Sequence, residues 1–227
     1  MASTELRHIG FIVDGNRRWA RERGLPTLEG HKRGLDKIEL VIESIAEQHI
    51  PFASFYIFST ENWNRSEEEV SYLMNLFETK FDILVKKAKK HDMKCIFFMA
   101  ANDKITPHLK DEITNIEQET SHCTSGTLVF CFNYGGQQEI AEAAESLRKA
   151  NQEITVESLE KRMYHPEVPS CDLIVRSSGE QRISGFMLWR AAYSELLFLD
   201  KYWPDMEKGD ISAAIEEFHS RSRRFGK

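Results

Sequence analysis

Three stretches of the chain set acids, arginines and hydroxyls close together. The first is Asp14-Gly15-Asn16-Arg17-Arg18-Trp19, directly after the apolar run His8 to Val13. An acid at a strand end, a glycine that relieves crowding and two arginines opening a helical segment are the parts of a site for a metal-bound phosphate. A lone Asp-Gly-Asn also describes an ordinary tight turn. Gly24 and Gly30-His31-Lys32-Arg33-Gly34 shift the balance by adding flexible backbone and further donors, although a lone histidine such as His31 more often caps or packs.

The second stretch is Ser59-Thr60-Glu61-Asn62-Trp63-Asn64-Arg65-Ser66, which follows the apolar run Phe52 to Phe58. Ser66 with Glu69 fits a capping box for the helix that follows, and that leaves Glu61, Asn62 and Arg65 without a structural purpose. The third runs from Asp172 to Gly185 and holds Arg176, Arg182 and Ser184, two guanidinium forks and a hydroxyl suited to a diphosphate; the plain alternative is a surface cluster with Glu180. Glu195, in Ala192-Tyr193-Ser194-Glu195-Leu196-Leu197-Phe198, is an acid among apolar residues and requires a metal or an arginine as partner.

Such groups need a frame. Six short apolar runs (His8 to Val13, Phe52 to Phe58, Met93 to Met99, Thr127 to Phe132, Asp172 to Val175, Leu196 to Leu199) alternate with longer segments of helical period. That alternation predicts an α/β fold: a single domain over residues 1–227 with a mostly parallel sheet of six strands flanked by helices. Val70, Leu73, Met74, Phe77, Phe81, Leu84, Val85 and Ala88 form one apolar stripe on a helix of about six turns. Leu35, Ile38, Val41, Ile42 and Ile45 form another. The stretch Tyr164 to Ser170, with Pro166 and Pro169, reads as a loop. In open α/β sheets ligands collect at the carboxyl ends of the strands, where all three polar stretches begin.

Composition narrows the function. The chain of 227 residues is 41% hydrophobic and 29% charged, which sets aside disordered and low-complexity classes. A net charge of -6 argues against nucleic acid as a partner. Basic residues are nevertheless gathered, with eight Lys/Arg against four Asp/Glu from Arg7 to Lys37, enough for a small anionic ligand. Cys95, Cys123, Cys131 and Cys171 have no C-x-x-C spacing and sit mostly in apolar runs, as core thiols of a reducing compartment do. With no apolar stretch near membrane-spanning length and no basic or apolar leader at Met1-Ala2-Ser3-Thr4-Glu5, the chain reads as cytoplasmic. P-loop, G-x-S-x-G, H-E-x-x-H and dinucleotide motifs are absent, as is the D-D-x-x-D cluster of the all-helical prenyl diphosphate synthases.

From His8 to Lys227 the chain resembles the cis-prenyltransferase family, on the blocks His8 to Trp19, Gly30-His31-Lys32, Phe58 to Arg65, Asn133-Tyr134-Gly135-Gly136, Arg176 to Arg182 and Trp203-Pro204-Asp205. The resemblance implies condensation of isopentenyl diphosphate with an allylic prenyl diphosphate, forming a Z double bond and releasing pyrophosphate, for an undecaprenyl-type lipid carrier or for a shorter product. It implies that Asp14 holds Mg²⁺, that Gly15, Asn16, Arg18 and His31 contact the allylic diphosphate, and that Arg176, Arg182 and Ser184 hold isopentenyl diphosphate. By the same likeness Glu195 joins the metal or its waters, Asn62 orients the reacting ends, and Trp63 and Arg65 shape a site to which Trp19, Ser59, Thr60 and Glu61 also belong. The two apolar stripes resemble the walls of a tunnel for the growing chain. The terminal Arg224-Phe225-Gly226 matches an element that reaches across a homodimer, and product release implies peripheral membrane contact.

The chain departs from the family pattern in places. Thr27 stands where many relatives have an arginine, and Arg17, where many bacterial enzymes have glycine, compensates. Ile57 stands where long-chain enzymes often have a smaller residue, and Phe130 and Phe132 add bulk on the fourth strand, which shortens the tunnel if those side chains point inward. A non-catalytic partner subunit is the competing class, but that reading expects Asp14 or the Arg176 to Arg182 stretch to be missing. A phosphoprotein- or nucleic-acid-binding module would leave the apolar stripes and Glu195 unexplained.

Overall fold

β1 (His8–Ile12) is buried at every position, as a strand covered on both faces and flanked by parallel neighbours must be. The computed structural model describes residues 5–102 and 104–221. Its six strands are β1, β2 (Phe52–Ser59), β3 (Met93–Phe98), β4 (Gly126–Tyr134), β5 (Leu173–Arg176) and β6 (Glu195–Phe198). They form one sheet in the order β3-β4-β2-β1-β5-β6, and every pairing is parallel. All six expected runs are strands, and the expected loop from Tyr164 to Ser170 holds neither helix nor strand.

Between the strands run α1 (Asn16–Glu22), α2 (Thr27–Glu47), α3 (Glu67–Lys90), α4 (Pro107–Thr120), α5 (Gly136–Lys149), α6 (Val156–Glu160) and, last, α7 (Lys208–Ser220). α3 starts where the Ser66 hydroxyl accepts the Glu69 N–H at 3.3 Å; acids fill its first turn and Lys87, Lys89 and Lys90 its last, matching the helix dipole. The predicted stripes of α2 and α3 bury Leu35, Ile38, Val41, Ile42 and Ile45, and Leu73, Phe77, Phe81, Leu84, Val85 and Ala88, in one core with Phe55, Phe58, Phe130 and Phe132 of the sheet. The opposite face of the sheet packs on Val168, Cys171, Phe186 and Met187. Gly30 to Gly34, read from the sequence as flexible backbone, lies within α2.

Two irregularities position the site. β2 loses register with β4 so that Tyr56 pairs Cys131 and Phe58 pairs Phe132, leaving Ile57 as an extra residue, a β-bulge. Ile57 and Phe58 therefore both pack toward α2 and α3. At one edge of the sheet, α4 closes off β3: Thr120 Oγ1 accepts the Cys95 N–H at 2.9 Å and Glu117 Oε1 the Phe97 N–H at 2.8 Å. No helix among the described residues is long and apolar enough to cross a membrane.

Candidate active site

The carboxyl ends of β1 and β5 meet at Asp14. Gly15, at φ 99, turns the chain from β1 into α1, a backbone conformation that side chains strain to adopt. Its N–H donates to Asp14 Oδ1 at 2.6 Å. Asp14 Oδ2 accepts Arg176 Nη2 at 2.8 Å and Arg18 Nη2 at 3.4 Å. Burial pushes the Asp14 carboxyl up, but the Arg176 guanidinium, the Gly15 N–H and Ser178 outweigh it and hold the pKa below the usual aspartate value. Arg176 is buried; its Nη1 donates to Arg182 O at 2.5 Å and Ser184 Oγ at 2.9 Å. Its Nε is enclosed without a hydrogen-bond partner. Glu180 binds Arg18 at 3.0 Å and also takes Arg182.

Two crevices flank this carboxylate. One, of about 590 Å³, is lined by Asp14, Gly15, Asn16, Arg17, Arg18, Arg21, Leu25, Thr27, His31 and Arg65. The other, of about 270 Å³, is lined by Asp14, Asn16, His31, Ile57, Ser59, Asn62, Arg65, Arg176, Arg182 and Ser184 among others. Asp14 is thus a wall shared by two basic spaces. Beneath them lies an apolar recess of about 20 Å³ between Leu35, Ile38, Ile57, Leu73 and Phe77.

The turn after β2, a 3-10 segment from Thr60 to Asn64, divides its side chains. Asn62 Oδ1 accepts the Ser59 N–H at 3.1 Å and Asn62 lines the second crevice. Trp63 turns inward, its Nε1 donating to Asn133 Oδ1 at 2.7 Å, and Thr60 packs against Gly135. Glu61 is exposed. Trp19 also turns away, donating to Asp205 Oδ1 at 2.6 Å. Trp19, Thr60, Glu61 and Trp63 are therefore not among the residues lining either crevice, against the expectation that they contact substrate.

Glu195 requires a correction. It pairs with Leu173 and, through it, stands level with Ile9 at the amino end of the sheet. Asp14 lies five residues past Ile9, roughly 15 Å along the strands at about 3.3 Å per residue, so one chain does not bring the two acids to one ion. Glu195 Oε2 instead takes Arg221 at 3.1 Å, the arginine alternative the sequence allowed. Arg224 and Gly226 lie outside the described residues.

Residues 12–226 match the family described as "Putative undecaprenyl diphosphate synthase". The chain belongs to the undecaprenyl diphosphate synthase family. It is 42% identical over 224 residues to an isoprenyl transferase of Fusobacterium nucleatum, covering 97% of this chain and 95% of that one. To a trans,polycis-polyprenyl diphosphate synthase ((2Z,6E)-farnesyl diphosphate specific) of Thermobifida fusca it is 40% identical over 229 residues, covering 97% and 80%. Among solved structures, lavandulyl diphosphate synthase from Lavandula x intermedia in complex with dimethylallyl diphosphate superposes with a TM-score of 0.90 at 28% identity, covering 97% of this chain and 98% of that one. A "probable undecaprenyl diphosphate synthase" from Campylobacter jejuni gives 0.83 at 27% identity, covering 98% and 99%. The chain is accordingly a prenyl-transferring enzyme.

In this member of the undecaprenyl diphosphate synthase family, one residue at the site escaped the sequence reading. Glu69 fits a capping pattern, but its carboxylate does not return to Ser66. Its Oε1 takes Arg65 Nη1 at 2.9 Å and His31 Nε2 at 3.0 Å, with Arg17 Nε at 3.9 Å. Burial raises the Glu69 pKa, but His31 and the two arginines outweigh it and hold the group ionised. Burial likewise holds His31 below its ordinary value, against the pull of Glu69. One buried acid thus aims three basic side chains that line the first crevice. Glu69→Gln keeps the shape and loosens all three. We expect KM for the prenyl donor to rise about tenfold, one charge-assisted hydrogen bond's worth. The melting midpoint should fall by only about 2–4 °C, as for a loss near 1 kcal/mol. Steady-state kinetics beside a thermal melt check both.

Proposed function

We propose that the chain is a Mg²⁺-dependent cis-prenyl diphosphate synthase that joins isopentenyl diphosphate to an allylic prenyl diphosphate and makes a short product. The observation that carries this reading is the Asp14 carboxylate on the wall shared by two basic crevices, directly above an apolar recess. Two anionic heads fit side by side and one hydrocarbon tail points inward. Gly15, Asn16, Arg17, Arg18 and His31 face the allylic diphosphate; Arg176, Arg182 and Ser184 hold isopentenyl diphosphate. Asn62 orients the reacting ends. The terminal alkene carbon (C4) of isopentenyl diphosphate bonds to the first allylic carbon, the C–O bond there breaks with its electron pair leaving on pyrophosphate, and C2 of isopentenyl diphosphate gives up a proton to a basic oxygen at the site as the new double bond forms between C2 and C3.

Among the described residues no group of three or more His, Cys, Asp or Glu side chains stands ready for a metal. That suits Mg²⁺, which is usually held by one or two carboxylates together with substrate phosphates and water. A partly exposed, ionised Asp14 beside a phosphate space is such a donor. When bound, the ion offsets the charge that grows on the departing pyrophosphate.

The short product is assigned from the walls of the recess, which Ile57, Leu73 and Phe77 narrow beneath the basic crevices. A homodimer fits the outer edge of β6, where Leu196 and the nearby Tyr193 are exposed. Four free, buried thiols fit the cytoplasm, with product passed to the membrane by peripheral contact.

The test is incubation of the pure protein with isopentenyl diphosphate, a series of allylic primers and Mg²⁺, followed by sizing of the products and assignment of double-bond geometry. Short Z products that vanish with EDTA and return with added Mg²⁺ are expected. Chains of undecaprenyl length would overturn the size assignment, and absence of any product would overturn the reaction.

A further inference from the structure

The segment Asn133-Tyr134-Gly135-Gly136, where β4 ends and α5 begins, lines neither basic crevice, yet both loops that do line them are fastened to it. Asn133 is fully buried, at φ 50, and is skipped by the pairing of β4 with β2, where Phe58 faces Phe132 and Ser59 faces Tyr134. A buried non-glycine residue in the left-handed region is held there by its surroundings. Its Oδ1 accepts the Trp63 indole at 2.7 Å, and its Nδ2 donates to Asn102 Oδ1 at 3.0 Å. Trp63 follows Asn62 directly, so this bond fixes the turn that presents Asn62. Gly135 faces the same turn: a Cβ there would lie 2.7 Å from Thr60 Oγ1.

The other loop is held from the next residue. The Gly136 N–H donates to Gly185 O at 2.9 Å, and a Cβ on Gly136 would meet that oxygen at 2.5 Å. Gly185 follows Ser184. Between the two attachments, Tyr56 OH lies 3.3 Å from both Tyr134 O and Ser184 O, closing the gap.

Building on the proposed reaction, we infer that Asn133 to Gly136 is a positioning bracket: it sets the spacing between Asn62 and Ser184, and hence between the reacting ends and the isopentenyl diphosphate head. It acts through Trp63 on one side and Gly185 on the other. Displacements near an ångström are enough to cost on the order of 10²-fold in rate.

The test combines four variants. Asn133→Gly suits the positive φ and deletes the amide; Asn133→Asp keeps an acceptor for the indole; Trp63→Phe keeps a ring; Gly136→Ala adds the obstructing methyl. The Trp63 indole N–H resonance, identified by its loss in Trp63→Phe, is followed in substrate-free protein, and kcat and both KM values are measured. Asn133→Gly should shift that resonance and lower kcat by on the order of 10- to 100-fold. The double variant with Trp63→Phe should be no slower than the slower single one, because both remove one link. Asn133→Asp should restore the resonance and most of kcat, and Gly136→Ala should raise KM for isopentenyl diphosphate but not for the allylic primer. Additive losses in the double variant, an unmoved indole resonance in Asn133→Gly, or an unchanged isopentenyl KM in Gly136→Ala would each overturn the bracket. If Asn133→Gly does not fold, failure of Asn133→Asp to keep the resonance does the same. A wild-type protein that transfers no prenyl group sinks the proposed reaction instead, and the resonance still decides the bracket.

Discussion

Replacing the carboxylate of Asp14 by an amide, as Asp14→Asn, is expected to lower turnover by about 10³-fold or more, since a metal-borne charge term is worth several kcal/mol in the transition state. The change is nearly isosteric, but the Gly15 N–H and Arg176 bind different oxygens of the carboxylate and the amide keeps only one of them as an acceptor. What it removes is the negative charge opposite Arg176, a guanidinium that is only 4% exposed. Breaking a fully buried pair costs about 3–5 kcal/mol, and partial exposure of Asp14 places this one toward or below the lower end. The folded fraction should survive in a protein of ordinary stability, about 5–15 kcal/mol. Parallel measurement of kcat with saturating Mg²⁺ and of the thermal midpoint separates chemistry from folding. Turnover within a few-fold of wild type would remove Asp14 from the centre of the site.

Longer products are the second expected result, on replacing Ile57 by alanine. Ile57 lines both the second basic crevice and the apolar recess beneath it. It is also partly exposed, so its truncation sits at the lower end of the usual range of about 2–5 kcal/mol for large-to-alanine changes in a core. Phe77, the next wall, is a poorer first choice. It packs edge-on to Phe58 and Phe132 and stacks on Phe81, so Phe77→Ala carries about 3–5 kcal/mol, a large share of total stability. The distribution of products should move upward in Ile57→Ala and further in a Phe77→Leu combination, at unchanged Mg²⁺ dependence. Chromatographic sizing decides it, and an unmoved distribution would show that the limit lies elsewhere.

The strands were legible because buried parallel strands are nearly continuous apolar runs, and each ends where polar residues begin. The same signal misplaced the end of β4: Asn133 and Tyr134 look like loop, but both are buried and Tyr134 pairs with Ser59. Asp14, Arg18, Arg176, Arg182 and Ser184 were found through residue type at strand exits. Which neighbours turn inward was not readable, because in a tight turn adjacent side chains diverge. Asn62 faces the crevice while Trp63 seeks Asn133, far away in sequence. Glu69 was hidden by its own spacing, since a glutamate three residues after a serine satisfies a local rule whatever its carboxylate does. The deciding partner, His31, lies on another helix. For Glu195 the apolar flanks correctly demanded a countercharge, and only the register of β5 with β6 shows at which end of the sheet it stands.

Ile57 has no opposite number on β1 or β4. Under the proposed reaction, the side chain that limits the hydrocarbon space is thus set apart from the backbone ladder that aligns the head-group residues. Tail measurement and phosphate chemistry become separable traits: a lineage holding this scaffold is free to retune what it makes, one substitution at a time, while the machinery that makes it stays in place.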